Sequence, residues 1–196
     1  EVIAILLAKE LSGTYQSACL GGEMSGADVK VFDTLAGSLG HGLQLIEAGK
    51  LIKQGFSLNK ILEYLEGFRK HANILILLNT LENIVKGGRL SKFQGQLAKV
   101  LDIKVLLEGV EGKVEIVEKI RGAKRFLNRA LDIIGERKKD FSETVFGITH
   151  VDNLKAAEFL KAELMERYHP KDVIINYMGA TMGTYAGKGG MIVSFY

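Results

Sequence analysis

Leu11-Ser12-Gly13-Thr14-Tyr15-Gln16-Ser17-Ala18 follows directly on the apolar run from Val2 to Ala8. The run reads as a buried strand ending near Lys9 and Glu10, and the stretch after it as a helix beginning at Ser12 or Gly13. Where a strand feeds a helix in this way, the first helical N–H groups have no intrahelical partner. They lie at the partly positive end of the helix, which suits an anion. Ser12 adds a hydroxyl, and Gly13 removes the Cβ that would hold a ligand off the backbone. The turn Ser12-Gly13-Thr14 is thus a candidate receiver for a carboxylate. The plainer reading, and the commoner one for such a pattern, is a serine N-cap with a glycine beside it.

Working outward, the first helix is expected to stop in Gly21-Gly22, and Val29 to Phe32 reads as a second short buried strand ended by Asp33-Thr34. Leu39, Leu43, Ile46 and Leu51 recur at helical spacing despite Gly37, Gly40 and Gly42. Each glycine costs such a helix up to about 1 kcal/mol relative to alanine, and close packing against a neighbour would explain the tolerance. Gly55 closes that helix, and Ser57 can cap an amphipathic one carrying Leu58, Leu62 and Leu65 to about Arg69. Strand and helix alternate here, as in a parallel sheet covered by helices.

The pattern changes after His71. Asn73 to Asn79 reads as a strand and Leu81 to Val85 as a helical turn; Gly87-Gly88 is a stop, and Ser91 can start a helix through Leu101. Ile103 to Leu107 and Lys113 to Lys119 flank Glu108-Gly109-Val110-Glu111-Gly112 and read as a β-hairpin, so this region carries antiparallel strands. A helix with Phe126, Leu127, Ala130, Leu131 and Ile134 on one face follows Arg121-Gly122. Then come a strand from Thr144 to Val151, a helix carrying Ala157, Leu160 and Leu164, and a strand from Val173 to Tyr177. Gly179 to Gly190 reads as a glycine-punctuated loop before a last strand, Met191 to Phe195. The expected organisation is α/β in two lobes, residues 1–70 and residues 71–196.

Composition narrows the function. Among 196 residues, lysine and arginine exceed aspartate and glutamate only by 26 − 23 = 3, which gives no nucleic-acid footprint. A single cysteine, Cys19, allows neither an intrachain disulfide nor a thiolate metal site, and fits a reducing, cytoplasmic setting. No apolar run approaches the eighteen or so residues that span a bilayer. The chain enters a strand at once from Glu1, which suggests that residues are missing in front.

The closing stretch Gly183-Thr184-Tyr185-Ala186-Gly187-Lys188-Gly189-Gly190 superficially resembles a phosphate loop, but glycine follows the lysine where serine or threonine is required. His41, His71, His150 and His169 lack the spacing of a helical zinc pair, so no metal is expected. His41 reads as structural, and His150 as hydrogen-bonded to a local carboxylate such as Asp152. Arg121, where the hairpin meets a helix, suits recognition of a carboxylate or phosphate, with a surface salt bridge to Glu115 or Glu118 as the alternative.

Taken in order, these turns resemble the DegV family of bacterial fatty-acid-binding proteins. The resemblance is carried by Leu11 to Ala18, Val31-Phe32-Asp33-Thr34 with Gly40 and Gly42, and Thr80-Leu81-Glu82-Asn83 through Lys86-Gly87-Gly88-Arg89-Leu90-Ser91. It continues in Leu101-Asp102-Ile103-Lys104, Lys119-Ile120-Arg121-Gly122-Ala123-Lys124 and the closing glycine loop. It covers the whole chain, although family members usually carry roughly half a domain more in front.

The resemblance implies a two-lobed fold, one lobe with a mainly parallel sheet and the other with antiparallel strands, with a long-chain fatty acid between them. Its carboxylate would meet Ser12, Gly13 and Thr14. The family's closing loop carries a histidine near the headgroup where this chain has Tyr185, which can donate a hydrogen bond but does not titrate as histidine does. Some members present the acyl chain to a fatty-acid kinase, and the arginine matching Arg121 is associated with that partnership. The protein itself would be a lipid carrier, not an enzyme, with no cofactor.

Burying a sixteen-carbon tail at about 0.8 kcal/mol per CH₂ gains on the order of 10 kcal/mol before binding costs. Phe93, Leu97, Leu101, Ile103 and Leu106, near the double-glycine turn, are candidate tail-lining residues. The alternative function is an enzyme acting on a small phosphorylated or carbonyl substrate held by the glycine-rich loops, with Lys188 or Arg121 as electrophile.

Overall fold

The computed structural model describes residues 1–90 and 103–196. Among these, eight strands form two sheets. In the first, β1 (Val2–Leu6) and β2 (Val29–Asp33) pair in parallel, with α1 (Thr14–Ser25) connecting them. Helices α2 (Ser38–Lys53) and α3 (Leu58–Arg69) pack onto this sheet through Ala48, Leu51, Ile61 and Leu65, which meet Ile5 and Phe32. Fully burying a side chain such as Leu65 stabilises the lobe by about 1.5–3 kcal/mol.

The second sheet is built from β3 (Asn73–Leu78), β4 (Ile103–Val110), β5 (Lys113–Arg121), β6 (Val145–His150), β7 (Asp172–Tyr177) and β8 (Met191–Phe195). Its order is β5-β4-β3-β8-β6-β7, antiparallel except for the β6–β7 pair. The hairpin expected from the alternation after Ile103 is present as β4 and β5.

The unbroken apolar run in β3 has a simple cause: both faces of the strand are covered. Leu75 and Leu77 point into a core formed with α5 (Ala123–Arg137) and α6 (Leu154–Tyr168). Ile74, Ile76 and Leu78 point the other way, towards α4 (Glu82–Lys86) and α7 (Ala180–Ala186).

The two sheets are tied together at the far end of β8. The Tyr196 ring stacks on Phe68 of α3 with centroids 4.2 Å apart. Its hydroxyl donates to the carbonyl of Gly40 and accepts from Gln44 Nε2 at 2.7 Å. Gly40 is tolerated in α2 because the helix lies close to β3, where a Cβ would stand 3.1 Å from Ile74 Cδ1.

Three local expectations change. The first strand stops at Leu6 and the helix begins at Thr14, with Gly13 at the cap position. That helix runs through Gly21-Gly22 to Ser25, and it ends where Gly26 takes a left-handed conformation at φ 65°. The stretch from Gly179 is not a loop throughout, since α7 occupies Ala180–Ala186. Gly183 and Gly187 donate to the carbonyls of Gly179 and Gly183 at 2.9 and 2.8 Å, and packing of Met182 and Ala186 against the second core offsets the helix cost of Gly183. The helix expected from Ser91 to Leu101 lies outside the described residues.

Candidate functional site

Between the C-terminal ends of β1 and β2 and one face of the second sheet lies a mainly apolar cavity of about 120 Å³. At roughly 10–15 Å³ per water-sized group it takes about ten such groups. Its floor is Ile74, Ile76 and Leu78 of β3 with Ile192 of β8. The loops leaving the parallel strands form the roof, through Leu7, Leu11, Leu35 and Ala36. Ile84 of α4 and Met182 and Ala186 of α7 close the side. Parallel strands point their C-terminal ends at ligand crevices in many α/β folds, and this cavity opens at that position.

Polar groups gather at one end, where Ser12, Arg89 and Tyr185 border the cavity. Ser12 Oγ lies 2.8 Å from Thr14 Oγ1 and accepts from the Thr14 N–H at 3.2 Å. Arg89 donates through Nε to the Leu11 carbonyl at 3.0 Å and through Nη1 to the Gly87 carbonyl at 2.7 Å. Its guanidinium carbon sits 4.9 Å from the centroid of the Tyr185 ring, in cation–π geometry. Among the described residues no carboxylate forms an ion pair with Arg89, so a cation with unspent donor capacity faces an apolar space. That arrangement is suited to a molecule with one anionic head and a long apolar body.

The candidates from sequence are placed unevenly. Ser12 and Tyr185 meet at the polar end, whereas Gly13 and Thr14 lie in the turn beside Ser12 but outside the cavity lining. Leu106 points into the opposite core, among residues such as Phe126 and Leu131, because β4 alternates and Val105 and Leu107 take the cavity-side face. Ile103 shares the parity of Val105 but does not border the cavity. Phe93, Leu97 and Leu101 lie outside the described residues.

Arg121 is exposed at the end of β5, away from the cavity. The salt bridge suggested for it does not form: Glu118 pairs with Arg129 at 2.9 Å instead. Lys188 is exposed and pairs with Asp152 Oδ2 at 2.9 Å. The hydrogen bond and charge of that lysine hold the Asp152 carboxyl below the usual carboxylate range. With Lys188 so engaged and α7 in place of a loop, the glycine-rich stretch forms no phosphate cradle among the described residues.

His41 is structural, its Nε2 2.9 Å from the Ile5 carbonyl. His150 is buried, and its Nδ1 accepts from the Asn153 N–H at 3.3 Å, so that nitrogen does not donate to the Asp152 carboxylate as expected. In register with Met191, it faces the core opposite the cavity. Among the described residues no group of three or more histidine, cysteine, aspartate or glutamate side chains is placed to hold a metal ion. No described helix is long and apolar enough to cross a membrane.

Sequence reasoning missed Arg89 as a site residue, although the double-glycine turn that carries it was evident. It placed the β3 strand but not its cavity-facing residues Ile74, Ile76 and Leu78, because an all-apolar run does not reveal which alternate positions face a ligand.

A family model described as "Uncharacterised protein, DegV family" matches residues 1–196. A DegV domain-containing protein of Halalkalibacterium halodurans is 31% identical over 196 residues, which is 100% of this chain and 69% of that protein. Among solved structures, a DegV family protein from Thermus thermophilus, described by its fatty acid binding, superposes with a TM-score of 0.92 at 28% identity. The match covers 100% of this chain and 70% of that one. A DegV family protein from Eubacterium eligens loaded with heptadecanoic acid gives a TM-score of 0.87 at 25% identity, covering 98% and 71%.

Proposed function

Because the chain belongs to the DegV family, we propose that it binds a long-chain fatty acid non-enzymatically, with the carboxylate at the Ser12, Arg89 and Tyr185 end and the tail along β3. The observation that carries this reading is the apolar cavity with a hydroxyl and, at the same end, an arginine that forms no ion pair among the described residues. Two structurally similar family members are described by fatty-acid binding or carry a fatty acid, which supports the same ligand class. On this reading residues 1–70 and 71–196 are the two lobes that close on the ligand, and the protein works in the cytoplasm. Gly13 and Thr14 support the headgroup from the turn rather than from the cavity wall.

The reading extends to a partner. Arg121 stands exposed and free of ion pairs among the described residues, which suits presentation of the loaded protein to a fatty-acid kinase. Native mass spectrometry of the gently purified full-length protein tests the core of the proposal. A copurified acyl chain, removed by exchange and restored by added palmitate, is the expected result. A protein that neither carries nor takes up any fatty acid overturns it.

A further inference from the structure

The hairpin between β4 and β5 stands on the same turn that carries Ser12. Gly112, at φ 80°, lies so close to Ala8 that a Cβ on it would stand 3.1 Å from the alanine methyl and 3.7 Å from Glu10 Cγ. The Ala8 carbonyl in turn accepts from the Leu11 and Ser12 N–H groups at 2.9 and 3.2 Å. Glycine meets both demands at the hairpin tip, a left-handed backbone and no side chain. The contact brings the next residue, Lys113, to this turn, and Lys113 borders the cavity as Ser12 and Arg89 do.

Lys113 is only weakly engaged there. Its ammonium stands 3.7 Å from Glu10 Oε2, with the two side chains 65% and 39% exposed. A charge-assisted hydrogen bond spans about 2.7–2.9 Å, so this pair is held by charge alone, and solvent weakens it further. Among the described residues Lys113 has no other ion pair and no hydrogen bond, so its three donors are unspent. Arg89 is more tightly committed, since Nε and Nη1 already serve the Leu11 and Gly87 carbonyls. An ionised carboxylate accepts at several lone-pair sites at once, and two cations can share it.

We propose that Lys113 is a second headgroup cation, which leaves Glu10 for the carboxylate of the bound ligand and holds it alongside Arg89. The inference rests on the fatty-acid reading. Glu10 is the counter-ion of Lys113 before the ligand arrives, so its charge competes with the carboxylate for the same lysine. The exchange trades an exposed, overlong pair for hydrogen bonds at the rim of an apolar cavity, where opposite charges attract more strongly than in open water. It acts on the anionic head and leaves the tail contacts as they are. Lys113 thereby favours an acid over an uncharged lipid of equal length.

The test uses the delipidated full-length protein with palmitate and 1-hexadecanol in competition, the alcohol supplied in the excess that gives comparable occupancy of the wild type. Native mass spectrometry reads the bound ratio of acid to alcohol. Lys113→Met is expected to lower that ratio about threefold, within the range for an exposed ion pair, and Glu10→Gln to raise it by a similar factor. A lysine that only fastened the hairpin would change the uptake of both lipids alike and leave the ratio fixed. Should Lys113→Met prove unfolded in a thermal melt, Lys113→Gln carries the test. An unchanged ratio in a folded Lys113 variant, or a lowered one in Glu10→Gln, overturns the second cation while leaving the ligand class intact. A wild-type protein that takes up neither lipid overturns the fatty-acid reading as well.

Discussion

The Arg89 guanidinium reaches from the turn after α4 to the Leu11 carbonyl, 3.0 Å from its Nε, and so fastens the roof loop of one sheet to the side wall of the other. This contact places a positive charge next to Ser12 without spending all of its donors. The same residue is thus a structural tie and the strongest anion-binding group at the cavity.

Arg89→Ala should weaken fatty-acid binding by roughly 1–3 kcal/mol, the usual cost of losing a charge-assisted partner to a buried head. Ser12→Ala should act in the same direction and by a similar amount. Isothermal titration of delipidated full-length protein with palmitate checks both. Equal affinity in wild type and in both variants would remove this end of the cavity as the headgroup site.

Gly87 lies under the Tyr185 ring, and a methyl group there would overlap it. Gly87→Ala should push Tyr185 out of its place over Arg89 and cost about 1–3 kcal/mol of stability through overpacking. Chemical denaturation reads the loss, and Tyr185→Ala provides the rescue: combined with Gly87→Ala it should cost less than the sum of the two single changes.

Burial pushes the Tyr196 phenol well above the ordinary tyrosine value, against a smaller opposite effect from the Gln44 hydrogen bond. The unfolded chain ionises this group near pH 10, and the folded protein does not. The folded state therefore holds more protons there, so the stabilisation is complete below about pH 10 and is lost as pH rises beyond it. Urea midpoints should fall above pH 10. Tyr196→Phe should cost about 1–3 kcal/mol at neutral pH, by removing the hydroxyl that links Gln44 Nε2 to the Gly40 carbonyl, and should show a shallower alkaline fall. Some slope will remain, because burial also raises Tyr64 and Tyr168.

Arg121→Glu should leave palmitate affinity unchanged, since the side chain lies outside the cavity. Capture of a fatty-acid kinase by the loaded protein, measured by surface plasmon resonance, should drop by about tenfold or more, the scale expected when a rim charge is reversed against a complementary surface. A fall in palmitate affinity of the same size would place Arg121 at the ligand instead.

The sequence by itself determined the alternation of strands and helices, the hairpin after Ile103, and the turn that delivers Ser12, because these follow from local periodicity and turn chemistry. It misjudged the helix through Gly21-Gly22 and the helix at Ala180–Ala186. A glycine's local preference is worth about 1 kcal/mol, and intrahelical bonds and packing outweigh it. Only the tertiary structure decided which face of β3 and β4 meets the cavity, sending Leu106 to one core and Ile74, Ile76 and Leu78 to the other side. Both faces of those strands are apolar, so the choice rests on what packs against each. Arg89 became a site residue for the same kind of reason: its partners, Leu11 and Tyr185, are distant in sequence and meet it only when the two sheets close on one another.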